Sequence, residues 1–134
     1  MGDSTQTINY VAKPIRREVF KNGSAEVNLG DRAMFTHALF SDDEEIGFDG
    51  GSCTVVRIED DDSYYILCNV SMMLPEGTIS FQTFVQEIFP PPPFYAAITG
   101  GTGAYAGVGG EMHIDPASPT IHHYRLHLSL PDKS

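Results

Sequence analysis

A chain of 134 residues has room for one domain and one core. Its 18 acidic and 8 basic side chains leave a formal charge of −10, which repels phosphate backbones and anionic lipid and argues against nucleic-acid and membrane partners. Trp is absent while Gly (13) and Pro (9) are frequent, a mixture that suits short strands joined by tight turns.

The opening MGDSTQTINY lacks a basic region followed by an apolar core, and no apolar run approaches a membrane span. The expectation is therefore a cytoplasmic protein whose two cysteines, Cys53 and Cys68, are reduced thiols. Residues 1–7 are polar and read as loose. Segments near 8–13 and 15–20 read as one strand interrupted at Pro14. Asn22-Gly23 signals a turn, and residues 33–40 form the next strand. The acidic run Asp42–Glu45 leads into GFDGGSCTVVRIE, glycine-rich and then β-branched. A second acidic run, Glu59–Asp62, precedes the apolar strand 64–74. Neither run has the alternating ligands and glycine of a calcium loop, so both read as solvated hairpin tips. Pro75-Glu76-Gly77 turns the chain into strand 78–89, which a polyproline break at 90–93 ends. Residues 94–99 run into GGTGAYAGVGG, then a short strand at 111–114, a break at 116–119 and a last strand at 121–130. No segment has a convincing helical period, and about eight strands at short spacing predict one barrel or sandwich domain spanning 1–134.

The segment Ile98–Glu111 contains part of a dinucleotide fingerprint in Gly101-Thr102-Gly103. It comes late in an all-β chain with no helix pattern behind it, so the context for phosphate binding is missing. The alternative is a strand–bend–strand hinge, in which Gly100, Gly101, Gly103 and Gly107 permit the bend and Tyr105 packs over it. Ile98-Thr99-Gly100-Gly101-Thr102-Gly103, Tyr105, Gly107 and Gly110 together resemble the signature of the allene oxide cyclase and dirigent superfamily. Gly30-Asp31 with Phe35-Thr36 is similar to the cyclases' second strand, Gly51-Ser52-Cys53 to their Gly-Ile-Cys strand, and Gly77 and Gln82 fall at matching spacing.

That resemblance implies an all-β fold: an eight-stranded antiparallel up-and-down β-barrel with an apolar central cavity holding one small molecule. It implies a homo-oligomer, trimer or dimer, a hydrophobic small-molecule substrate, and chemistry without cofactor or metal. The expected activity is that of a cyclase or isomerase, working by confinement and hydrogen bonding on an unsaturated fatty-acid epoxide or a linear polyketide, by Diels–Alder cyclisation among other routes. The competing expectation is a dirigent-like protein that binds or steers its ligand without turnover.

The resemblance places His37 where plant cyclases have a cavity asparagine, and Cys53 where they have a cavity cysteine. Glu18 is the nearest candidate for their first-strand glutamate, although its surroundings do not match the motif and better suit a surface carboxylate paired with Arg16 or Arg17. Val85 stands in place of a tyrosine, which speaks against the plant substrate. Alternation adds Phe35 and Leu39 beside His37, and Val55 beside Cys53. On strand 64–74 both faces are largely apolar, and alternation does not say which points inward. Tyr65, Leu67 and Asn69 are assigned to the cavity with Phe81 and Val85, while Cys68 is read as core. His113, His122, His123 and His127 invite a metal hypothesis, but Arg125 lies between His123 and His127 on one face and no acid or thiol completes a site.

Overall fold

In the strand spanning 64–74, Cys68, Val70, Met72 and Leu74 are buried while Asn69, Ser71 and Met73 are exposed. That two-residue period sets one apolar face against a core. The computed structural model describes residues 4–24 and 26–132. Its strands are β1 (Ser4–Phe20), β2 (Arg32–Ser41), β3 (Glu44–Ile58), β4 (Tyr64–Leu74), β5 (Gly77–Gln86), β6 (Phe94–Gly101), β7 (Gly109–Ser118) and β8 (Ile121–Leu130), with a 3-10 turn at Gly103–Tyr105. Each strand pairs antiparallel with its sequence neighbour, and β8 pairs back onto β1. The result is a closed barrel of eight strands in sequence order, the architecture expected from the sequence.

Local chemistry explains the joints. Asp42 and Asp43 are the two-residue loop between β2 and β3, and both have positive φ, 51° and 67°. Short side chains that bond to their own backbone tolerate this conformation, which matches the twist of the flanking strands. The β1–β2 register shifts between Pro14 and Arg16, where proline supplies no donor to the ladder. Gly103 has φ 63°, and a Cβ there would lie 2.5 Å from the Glu76 carbonyl oxygen, so the hinge between β6 and β7 requires glycine at that point.

Several boundaries differ from the sequence reading. Residues 4–7 are not loose: Ser4 pairs with Leu130 and Thr7 with His127, because closing the barrel gives the free edge of β8 a partner. Residues 1–3 of that segment lie outside the described residues. The strand placed at 111–114 extends over Gly109–Ser118, with its irregularity between Asp115 and Ser118 absorbed in the pairing to β8. The fifth strand ends at Gln86 rather than 89, although the Glu87 N–H still donates to the Tyr64 carbonyl at 2.9 Å.

The lower barrel is solid. Leu39, Met72, Ile79, Met112, Leu126 and Leu128 are each under 2 % exposed or at that limit. Burying each such side chain contributes about 1.5–3 kcal/mol. Tyr10 and Tyr105, hydrogen-bonded to each other, are buried in the same core.

Candidate functional site

The upper end of the barrel is built differently. Inward-facing positions there keep partial exposure: Phe35 on β2, Cys53 on β3, Ile66 on β4, Val85 on β5, Phe94 on β6 and His122 on β8. An inward side chain that water still reaches must be reached through the open end of the barrel. We infer from this a chamber above the packed core, walled by these residues.

The chamber holds a polar network centred on Asp49 of β3, which is fully buried. Asp49 pairs with His37 in the β2–β3 register, so the two side chains share the inner face. Asp49 Oδ1 lies 2.7 Å from His37 Nδ1 and accepts the His37 backbone N–H at 2.9 Å. Asp49 Oδ2 accepts the Tyr124 hydroxyl at 2.9 Å. Tyr124 is on β8, three strands away around the wall, so this bond crosses the lumen. Phe81, from β5, meets the Tyr124 ring edge-on at 6.0 Å, and the two rings floor the chamber. A carboxylate only accepts, which assigns a proton to His37 Nδ1 and leaves Nε2 to serve the chamber.

Small residues make the arrangement fit. Ala12 of β1 faces inward between Leu39 and His122, and with no bulk there the rings of His37 and His122 come within 5.3 Å. Gly51 sits between Asp49 and Cys53 on the inner face of β3, where a Cβ would lie 2.4 Å from the Asn69 carbonyl oxygen. The Phe35 ring, opposite Gly51, packs 5.2 Å from His37. Electrostatics follow the burial. The Tyr124 hydroxyl is held well above its usual pKa, first by burial and then by the Asp49 charge, so it remains a donor. Burial, reinforced by His37, lowers the pKa of His122 and favours its neutral form.

Of the residues singled out from sequence, His37, Cys53, Phe35, Leu39, Val55, Phe81 and Val85 all face inward. Leu39 belongs to the packed lower core rather than to the open chamber. Tyr65, Leu67 and Asn69 do not line the cavity. They share the outer face with exposed Ser71 and Met73, and Tyr65 packs edge-on against exposed Phe84 outside the barrel. The inner face of β4 is the alternate set, Ile66, Cys68, Val70 and Met72. Glu18 is also displaced from the site: it lies opposite exposed Met34 on the outside and pairs with Arg16 at 2.7 Å. The cysteines are not reduced thiols. Cys53 and Cys68 are directly opposed in the β3–β4 register and joined as a disulfide whose sulfurs face the chamber.

Asp49 and Tyr124 were not picked out from sequence, and His122 only as one of four histidines weighed for a metal. His122 and Tyr124 carried a signal, being polar positions on the otherwise apolar face of the last strand. Asp49 carried little, because its partner on β8 becomes visible only once the barrel is closed. Among the described residues, no three His, Cys, Asp or Glu side chains are grouped to hold a metal ion. His123 and His127 are exposed, outward-facing positions of β8. A lateral depression lined by Thr5, Gln6, Thr7, His127, Leu128 and Ser129 is open to solvent and contains no part of the network.

The class that the fold and site define is a closed eight-stranded barrel with a buried carboxylate–imidazole pair inside it. Residues 14–128 match the allene oxide cyclase barrel-like domain, and the chain belongs to that family. No curated protein matches it. Among solved structures, it is similar to a pyocyanin demethylase, at 29% identity with a TM-score of 0.81 over 92% of this chain and 99% of that one. It shares its fold with an exo-specific intermolecular Diels–Alderase, at 16% identity and a TM-score of 0.76 over 94% and 98% of the two chains. A pterocarpan synthase dirigent protein has the same fold, at 18% identity and a TM-score of 0.73 over 100% and 89%. Among the described residues no helix is long and apolar enough to cross a membrane.

Proposed function

We propose that this chain is an isomerase or cyclase that binds one small, largely apolar, unsaturated molecule in the upper chamber, with His37 as the group that takes or gives a proton. The observation that carries this reading is the fully buried Asp49, spent on holding His37 Nδ1 and the Tyr124 hydroxyl. Burying a carboxylate is costly even when it is well bonded. A protein that only carries a ligand has no need of a fixed imidazole tautomer at the floor of its site. His37 Nε2 removes a proton next to a carbonyl, epoxide or phenolic group, and Tyr124 and neutral His122 supply the polar surroundings. The product has the mass of the substrate. Unsaturated fatty-acid epoxides and linear polyketides fit an apolar chamber walled by Phe35, Ile66, Val85 and Phe94. Confinement there also favours a Diels–Alder closure.

The alternative is a dirigent-like protein that steers or carries the same kind of ligand, and the shared fold with a dirigent protein supports keeping it. The working partners in either reading are a hydrophobic small molecule and further copies of the chain. Phe48 and Met73, paired across β3 and β4 on the outer face and both exposed, favour such assembly. The Cys53–Cys68 disulfide favours an oxidising compartment over the cytoplasm expected from sequence.

The test begins with extract from a host strain lacking this gene, searched by mass spectrometry for a compound that accumulates. Pyocyanin is screened beside it, because of the 29% identity to the demethylase. Purified protein is added far below the compound's concentration. Full conversion to an isomer, slowed about 10²–10⁴-fold in His37→Gln with binding retained, is the expected result. Conversion limited to the amount of protein added, or binding without change, favours the dirigent-like reading.

A further inference from the structure

A second ionisable group faces the same chamber. The inward alternation of β5, Thr83 and Val85, carries past its last ladder residue, Gln86, to Glu87, and the Glu87 N–H to Tyr64 bond holds the chain in line. Glu87 therefore faces inward at the mouth and is only partly exposed. Asp49, the other inward carboxylate, is saturated with three donors. The Glu87 carboxylate has no hydrogen-bond partner among the described residues. It feels only the charge of Arg17, and Tyr64 beside it feels both. In the barrel order β5 stands opposite β1, which lies between the strands carrying His37 and His122. Glu87 thus approaches a bound molecule from the side opposite the two imidazoles.

We propose that Glu87 is the second proton-transfer residue of this site, delivering a proton to one end of a conjugated substrate while His37 removes one from the other. This rests on the reading of His37 as the base. In the step, a C–H or O–H bond breaks and its proton passes to His37 Nε2. The electron pair moves through the conjugated system, and a new C–H or O–H bond forms with the proton of the Glu87 carboxyl group. Substrate and product are isomers. His37 and Glu87 are reset by proton exchange with water at the mouth. Burial raises the pKa of Glu87, with Arg17 opposing, so a larger share of the protonated donor is present than an exposed glutamate would give. The ionisable group acting on it is Arg17 from β1, and Glu87 in turn raises the pKa of Tyr64 from β4, after burial.

The probe is a β,γ-unsaturated cyclic ketone, cyclohexenone with its double bond one carbon out of conjugation. Two readouts separate the two transfers: deuterium uptake from heavy water at the α-carbon reports the base, and ultraviolet absorbance of the conjugated ketone reports delivery to the far carbon. Wild-type protein is expected to accelerate both. In Glu87→Gln conjugation should fall about tenfold or more while α-exchange persists, and Glu87→Asp should restore part of it. Unchanged conjugation in Glu87→Gln, with His37→Gln still slow in both readouts, overturns the role of Glu87 alone. Exchange that is absent from the wild type, or indifferent to His37→Gln, overturns the parent reading and this one with it. Far-ultraviolet circular dichroism of each variant guards against a folding artefact, and a loss of both signals in a folded Glu87→Gln counts against separate roles.

Discussion

His37 Nδ1 and Asp49 Oδ1 are 2.7 Å apart inside the barrel, and the same oxygen accepts the His37 backbone N–H. One carboxylate thereby fixes both the ring and the strand that carries it. Its other oxygen ties in Tyr124 from across the lumen. Asp49→Ala leaves three buried donors without an acceptor, and the expected loss of stability is about 3–5 kcal/mol. Tyr124→Phe removes one hydrogen bond to a charged group, about 1.5–3 kcal/mol. Urea unfolding followed by circular dichroism measures both. An Asp49→Ala cost below about 1 kcal/mol means that the network does not hold the barrel together.

The disulfide yields a second prediction. Cys53 and Cys68 are 15 residues apart in sequence and face each other on adjacent strands. Closing a loop of that length stabilises by about 3 kcal/mol in the chain-entropy account. Reduction, or Cys53→Ser with Cys68→Ser, is expected to lower Tm correspondingly while the barrel still folds. A thiol alkylating agent should label neither cysteine of the denatured protein until reductant is added. Two labels without reductant would mean that the pair is not bonded in solution.

Much of this fold was legible because its cues are local. Period-two alternation, the acidic hairpin tips and the glycine bend each depend on a few neighbouring residues, and together they predict about eight strands in a barrel or sandwich, which the family resemblance narrows to an eight-stranded barrel. His37 was legible through its place in a recognisable strand. Other features were not. On β4 both faces are apolar, and Tyr65, Leu67 and Asn69 are told from Ile66, Cys68 and Val70 only when register with β3 and β5 decides which set meets Val55 and Phe81. The same register puts Cys53 opposite Cys68, which no reading of two separate segments supplies. The Asp49–Tyr124 bond joins residues 75 apart and exists only after closure.

Acid sensitivity should centre on Asp31. The N–H of Asn22 donates to its Oδ1 at 2.6 Å, the N–H of Asn28 to its Oδ2 at 2.9 Å, and the Lys21 ammonium pairs with Oδ2. These partners, the Asn22 N–H foremost, lower the Asp31 pKa from 3.8 to about 2. A folded-state pKa below the unfolded value contributes stability that is complete above 3.8 and disappears as pH falls towards 2. Asp31→Asn is expected to flatten the stability profile over that interval. A variant whose acid unfolding curve superimposes on the wild type's would show that the turn between β1 and β2 does not depend on the charged carboxylate.

At the alkaline end the tyrosines govern. Burial, followed by the neighbouring Tyr105, raises the Tyr10 pKa from 10.0 to about 12. Burial also raises Tyr105, and raises Tyr124 well beyond its ordinary value. Unfolded chains release these protons near pH 10 while the folded barrel retains them, so stability is complete below that pH and declines as pH rises towards 12. The barrel should therefore unfold cooperatively in this range, with phenolate absorbance and loss of strand circular dichroism rising together. Tyr10→Phe removes one of the titrating groups and should shift the transition to higher pH, provided the lost bond to Tyr105 does not first lower stability at neutrality, which urea unfolding at pH 7 checks. Phenolate formation that runs to completion while the strand signal stays intact would show that the rings ionise without unfolding, and that burial at the closed end is weaker than the packing of Tyr10 against Tyr105 implies.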